Sequence, residues 1–196
     1  MLGCLIFREK NRYNQFMQNP LVWLGRIRHR CGYGIHSPHA FALVTGVVYE
    51  RGEYYAYKEL DNLLPRWQVL LGGRQRKILR LLFRLANYAR PQQMVLRNAT
   101  PQQYAFAREG CHSAAIHTGF PDEKAQFLLL NDVEEQDVLC ALDERSVLVL
   151  TALRRHLAYW RTLQQDERVR QSFDLWDVGI CVLDKKLTKE DYIINF

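Results

Sequence analysis

"QMVLRNATPQQYAFAREGCHSAAIHTG", residues 93 to 119, decides how the chain folds. Residues 93–98 read as a short strand, 100–110 as a helix and 113–119 as a second strand. Thr100 followed by Pro101 marks the helix start. The Thr side chain accepts from a free amide of the first turn, and Pro gives up an N–H that had no partner there. Strand, helix, strand within 27 residues predicts a parallel α/β unit.

Downstream the alternation continues. "AQFLLLND" (125–132) is a buried strand with polar residues at its carboxyl end, "EEQDVLCAL" a short helix, and "SVLVL" (146–150) another strand of the kind buried on both faces. A long helix is expected next, with Leu153, Leu157, Trp160 and Leu163 as its apolar stripe and Arg154, Arg155, Arg161 and Gln164 around it. The end of the chain reads as two strands, about 175–183 and 192–196, closing as a hairpin across a charged loop. The fold class expected is a three-layer α/β sandwich with a mainly parallel sheet. Between Gly119 and Lys124 there are too few residues for a helical crossover, which takes about a dozen. If strands 113–118 and 125–130 flank the first strand and run parallel to it, the return is roughly 20 Å. Seven extended residues reach about 24 Å. A straight connection is therefore expected, against the alternative of an antiparallel hairpin.

Upstream of Pro91 the pattern is helical. In "RCGYGIHSPHAFALVTGVVYE" (30–50), Ser37 and Pro38 again give a helix start, with Phe41, Val44 and Val48 on one face of a helix running to about Glu50. Cys31, His36 and His39 lack a fourth ligand and match no usual zinc spacing, so no metal is expected. His36, just outside the cap, is expected to bond the backbone or an adjacent helix. Residues 1–90 are taken as an N-terminal helical extension packed on the domain formed by 91–196.

The 196 residues suffice for one domain with a real core, 48% of them being apolar. No apolar run is long enough for a spanning helix or placed as a signal peptide, so a cytoplasmic protein is expected. The five cysteines (Cys4, Cys31, Cys111, Cys140, Cys181) are odd in number, widely spaced and without CxxC, which predicts reduced, mostly buried thiols. The net charge of +6 is uneven: residues 1–90 hold 15 Lys and Arg against 5 Asp and Glu, and residues 91–196 hold 12 against 16. A positive field of this kind attracts phosphate backbones or acidic lipid. The spacing of Arg76, Arg80 and Arg84 reads instead as a solvated helix face opposite Ile78, Leu82 and Leu85. Aromatic residues do not alternate with these arginines as on a single-strand stacking platform, so nucleic acid is an unlikely partner.

"RHRCGYGIHSPHAFALV" resembles the N-terminal "HGVHSPF" signature of short bacterial class I S-adenosylmethionine-dependent methyltransferases, and "EYYAYKEL" (53–60) their "EYxxYKEI"-like segment. The closing segment, from "ALRRHLAYW" through "DLWDVG" to "KEDYIINF", is similar to theirs, with its "AW" pair, "DLFxxG" and "KEHFxIRF"-like strand. The resemblance implies a Rossmann-like methyltransferase sandwich with strands in the order second, first, fourth, fifth, seventh, sixth. Its third strand and preceding helix are missing here.

In that family the first strand runs into a glycine-rich turn, "ILELGTSLGIST", because backbone amides must approach the cofactor closely. Here "VLRNATPQQYA" stands there. Arg97 replaces the acid, Ala99 and Gln103 replace glycines, only Thr100 matches, and Gln103 puts a long side chain into the cofactor's space. "AAIHTG" ends in His117 and Thr118 where the acid for the ribose hydroxyls should be. Asn131 and Asp132 partly keep an "IDGNH"-like loop, and Thr151 and Ala152 replace the paired aspartates of "IIDDI". The resemblance thus implies a degenerate member that binds no cofactor and acts by binding, to a protein partner or an acidic ligand, through its basic N-terminal helices. The alternatives are a divergent but working methyltransferase using S-adenosylmethionine, and a basic nucleic-acid-binding module that rests on charge alone. Any surviving cofactor site should lie where Asn98, Ala99, Thr100, Asn131, Asp132 and Thr151 meet on one rim of the sheet, outside the carboxyl ends of the strands. The substrate and any catalytic residue are not disclosed.

Overall fold

The structure is a computed structural model that describes residues 24–29, 32–65, 73–134 and 136–196. Cys4, Cys31 and Arg30 of the basic stretch at 25–30 lie outside them. Ser37 begins α1 (Pro38–Leu43) as its spelling predicts, its Oγ accepting from the Ala40 amide at 3.4 Å. The helix does not continue as α to Glu50. From Val44 to Val48 it widens into a π-helix, closed by the Tyr49 amide on the Val44 carbonyl at 2.9 Å. Its apolar face is Ala40, Leu43, Val44, Val47 and Val48. Phe41, expected on that face, is 47% exposed, because the buried stripe through Val44 and Val48 continues back to Ala40 rather than to Phe41. The Phe41 ring lies over Gly32, where a Cβ would come within 2.9 Å of it and where φ is +80°.

After α2 (Tyr55–Asp61) and α3 (Arg74–Ala89), β1 (Gln93–Arg97) opens the sheet. Then come α4 (Pro101–Gly110), β2 (Ala115–His117), β3 (Ala125–Leu130) and β4 (Leu142–Thr151). A one-turn 3-10 helix at Val138–Ala141, shorter than the helix expected there, links β3 to β4. The long helix expected after β4 is broken. A 3-10 turn at Leu153–Arg155 follows Ala152, whose φ of 53° redirects the chain, and α5 starts afresh at Leu157–Gln165. Leu153, Trp160 and Leu163 are buried, whereas Leu157, at the restart, is 37% exposed.

The sheet has seven strands in the order β2-β1-β3-β4-β6-β5-β7, with β5 at Gln171–Asp174, β6 at Val178–Leu183 and β7 at Glu190–Ile193. β1 pairs in parallel with β2 on one side and β3 on the other, so Val95 lies opposite both His117 and Leu128. Residues 118–124 cross β1 without a helix, and the hairpin alternative does not occur. The C-terminal end differs from expectation. The hairpin joins β5 to β6, turning at Leu175, Trp176 and Asp177, and it is β6 that lies antiparallel beside β4. The last strand pairs in parallel with β5 at the outer edge rather than folding back on residues 175–183. The four polar-edged residues "QSFD" carry no strand signal of their own, so the sequence pattern places the hairpin turn one strand later than the fold does.

Side-chain alternation divides the sheet between two cores. Met94, Leu96, Phe127, Leu129, Val147 and Val149 face α1, the π-helix, α2, α3 and α4, while Val95, Leu128, Leu130, Leu148 and Leu150 face Leu139, Trp160 and Leu163. The helices before Pro91 therefore share a core with the sheet, and helices cover both faces of it. Gly179 shows how close that second layer lies: a Cβ there would meet Trp160 Cζ3 at 2.5 Å. Among the described residues no helix is long and apolar enough to cross a membrane. Cys111 and Cys181 are buried free thiols and Cys140 is an exposed one.

Candidate functional site

The chain leaves β1 toward β2 and then returns past β1 to β3. The strand order thus reverses between β1 and β3, and a crevice outside their carboxyl ends is where an open α/β sheet places a ligand. Backbone strain gathers on the same edge. Asn98 (φ 52°) follows β1, Ala152 (φ 53°) follows β4 and Trp176 (φ 78°) follows β5, three of the four described non-glycine residues with positive φ.

The crevice is bridged from inside. Thr100 caps α4 in a reciprocal box: its Oγ1 accepts from the Gln103 amide at 3.2 Å, and its own amide donates to Gln103 Oε1 at 2.8 Å. Gln103 then reaches across to the end of β3. Its Nε2 donates to Asn131 Oδ1 at 2.9 Å, and Asn131 Nδ2 donates back to Gln103 Oε1 at 2.7 Å. Asn131 Nδ2 also donates to the Asn98 carbonyl at 2.7 Å, and Asn131 Oδ1 accepts from the Thr151 hydroxyl at the end of β4. One asparagine thus ties together the ends of β1, β3 and β4.

The rim residues expected from the sequence meet here unequally. Asn98, Thr100, Asn131 and Thr151 join in one network, and Ala99 packs against the larger core. Asp132 turns outward, accepting from the Val133 amide at 2.8 Å, with Oδ1 3.4 Å from His156 Nε2. Arg97 pairs with Glu134 at 2.8 Å, donates to the Thr118 carbonyl at 2.8 Å and lies over the Phe120 ring, pinning the crossing segment to the β3 loop. Gln103 as the bridge was readable from the T-x-x-Q spacing that spells a capping box, but its reach to Asn131 required the fold.

The basic helices are mostly self-neutralised. Arg76 and Arg80 do not form a solvated face: both hold Asp61 Oδ2, at 2.6 and 2.8 Å, and Arg80 also lies 4.2 Å over the Tyr57 ring. Burial pushes the Asp61 carboxyl up, but hydrogen bonds from Arg76 and Arg80 outweigh it and hold the group below its ordinary range. Arg84 is buried, donating to the Val47 and Val48 carbonyls at 2.7 and 3.2 Å. Helical spacing places these arginines correctly on one stripe, but α2 and the π-helix cover it. Arg28, Arg51, Lys58 and Arg90 are the exposed cations of this half that pair with no described acid.

His36 does not make the contact expected of it, and His39 makes one instead. His36 is exposed and bonds nothing described. His39 Nδ1 lies 2.7 Å from Gln171 Oε1 and its Nε2 2.9 Å from the Tyr88 hydroxyl, while Gln171 Nε2 donates to Ser37 Oγ at 2.9 Å. With both ring nitrogens engaged, His39 works as a strut between α1, α3 and β5.

Comparison with known proteins returns no match: no family model, no curated protein and no solved structure.

Proposed function

We propose that the chain is a methyltransferase-like scaffold that acts by binding and transfers no methyl group. The observation that carries this reading is the amide pair between Gln103 and Asn131, which spans the space between the ends of β1 and β3. A cofactor entering there has to break both of those bonds, and the Thr100 amide that heads α4 is already taken by Gln103 Oε1. Arg97, standing where the resembled family has an acid, is itself neutralised by Glu134. The finer fold reading, a Rossmann-like methyltransferase sandwich without its third strand, draws support from the parallel run β2-β1-β3-β4. Binding to a protein partner or an acidic ligand would use Arg28, Arg51, Lys58 and Arg90, since the arginines of α3 are spent internally.

Calorimetric titration of the full chain with S-adenosylmethionine tests the proposal. No saturable binding is expected up to about 1 mM ligand. Micromolar affinity would overturn the reading in favour of a divergent but working methyltransferase.

A further inference from the structure

A second concavity lies away from the sheet edge. The π-helix, the residues after it and the last turns of α3 line an open cleft of about 420 Å³, within the size range of small-molecule sites. Two charges line it without an ionic partner. Arg84 is only 7% exposed, yet its described hydrogen bonds go to two backbone carbonyls and the neutral Tyr57 phenol, and it pairs with no described carboxylate. Buried charges are ordinarily matched by a full opposite charge, and carbonyl dipoles supply only part of one. Glu50 is the converse. Both its oxygens share the single Tyr54 phenol, at 2.9 and 2.8 Å, and it pairs with no described cation. The phenol is a neutral donor over the whole physiological range, its pKa pushed up to about 12 by burial first and by the Glu50 hydrogen bond second. Arg90, exposed and unpaired, caps α3 at the rim in the left-handed conformation, with φ at 43°.

An unmatched cation and an unmatched anion therefore line one cleft without pairing to each other. A ligand with a single charge satisfies one and leaves the other stranded. We propose that this cleft binds a free α-amino acid, its carboxylate directed to Arg84 and Arg90 and its ammonium to Glu50. The Tyr54 and Tyr88 side chains, which also line the cleft, give the ligand's side chain an aromatic wall. This site is independent of the crevice between β1 and β3.

The test is a binding screen of the full chain by protein-observed NMR and calorimetry against the twenty free L-amino acids. Each one that binds is repeated as its decarboxylated amine and its deaminated acid. At least one amino acid is expected to saturate with Kd between about 10 μM and 1 mM, and each single-charge counterpart to bind at least about tenfold more weakly. Glu50→Gln and Arg90→Gln should each weaken binding by about tenfold while leaving the unliganded Tm unchanged. The proposal is overturned if no amino acid binds up to about 10 mM, if the amine or the acid alone binds as well as the parent, or if both variants bind like the native chain. None of these outcomes alters the S-adenosylmethionine titration.

Discussion

Arg26 and Asp174, 148 residues apart, form a two-pronged ion pair, Nη1 to Oδ1 at 3.1 Å and Nη2 to Oδ2 at 3.0 Å, with both side chains 13% exposed. Arg154 grips the same carboxylate from the 3-10 turn that precedes α5, and the Trp176 amide donates to it at 2.7 Å. Both guanidiniums lie over the Trp176 ring, at 5.0 and 4.2 Å. This cluster holds the bulky Trp176 at a φ of 78° in the β5–β6 turn, where a glycine would be the easier residue.

Asp174→Asn should therefore destabilise the protein by about 3 kcal/mol at neutral pH, since it leaves two partly buried guanidiniums facing an amide. Burial pushes the Asp174 carboxyl up, but the hydrogen bonds from Arg26 and Arg154 outweigh it and hold the folded-state pKa below its ordinary value. A depressed carboxyl stabilises the fold above its unfolded pKa and loses that contribution as pH falls through the folded value. The native chain should thus lose stability below about pH 4. The variant should show a flatter acid limb. Urea unfolding at pH 7 and pH 3 measures both, and equal pH dependence of the two proteins would contradict the account.

Asn131 is the second keystone, because its amide both donates and accepts. Asn131→Asp keeps the shape but loses the Nδ2 donors that serve Asn98 and Gln103, and it sets a carboxylate oxygen against two carbonyl oxygens. At pH 7 this variant should be less stable than Asn131→Ala, which itself costs about 2 kcal/mol through unsatisfied partners. The order should narrow on acidification toward about pH 4, where protonation restores a donor. Denaturant midpoints across pH test this, and an Asp variant as stable as the native chain at pH 7 would refute it.

What could be read in advance divides by range. The caps at Ser37 and Thr100 are local chemistry, a side-chain oxygen followed by proline, and both appear where the spelling puts them. The path of residues 118–124 followed from chain length and strand spacing alone. The β5–β6 turn was not legible, because the residue that makes it is a tryptophan held in place by Arg26 and Arg154 from distant segments. The fate of the α3 arginines was hidden for the same reason. Helical spacing gives their stripe, but only the fold brings Asp61 and the π-helix carbonyls against it. At the sheet edge the residue types were readable, and the closing of Gln103 onto Asn131 was not.

Arg84 gives the sharpest test of how the N-terminal layer is held. A π-helix leaves carbonyls at its end without amide partners, and here Arg84 Nε and Nη2 supply donors to Val47 and Val48. Arg84→Met keeps much of the apolar stem but strands both carbonyls in a buried site, a loss of about 3 kcal/mol. Arg84→Lys keeps the charge yet cannot reproduce the planar fork, so it should recover only part of that loss and remain at least about 1 kcal/mol below the native chain. If charge alone held the segment, lysine would restore stability fully. Hydrogen exchange adds a local readout. The Tyr49 amide, which closes the π-turn on Val44, should lose protection in both variants, and more in the methionine one. A methionine variant within about 0.5 kcal/mol of the native chain, with Tyr49 still protected, would show that the π-helix stands without its arginine.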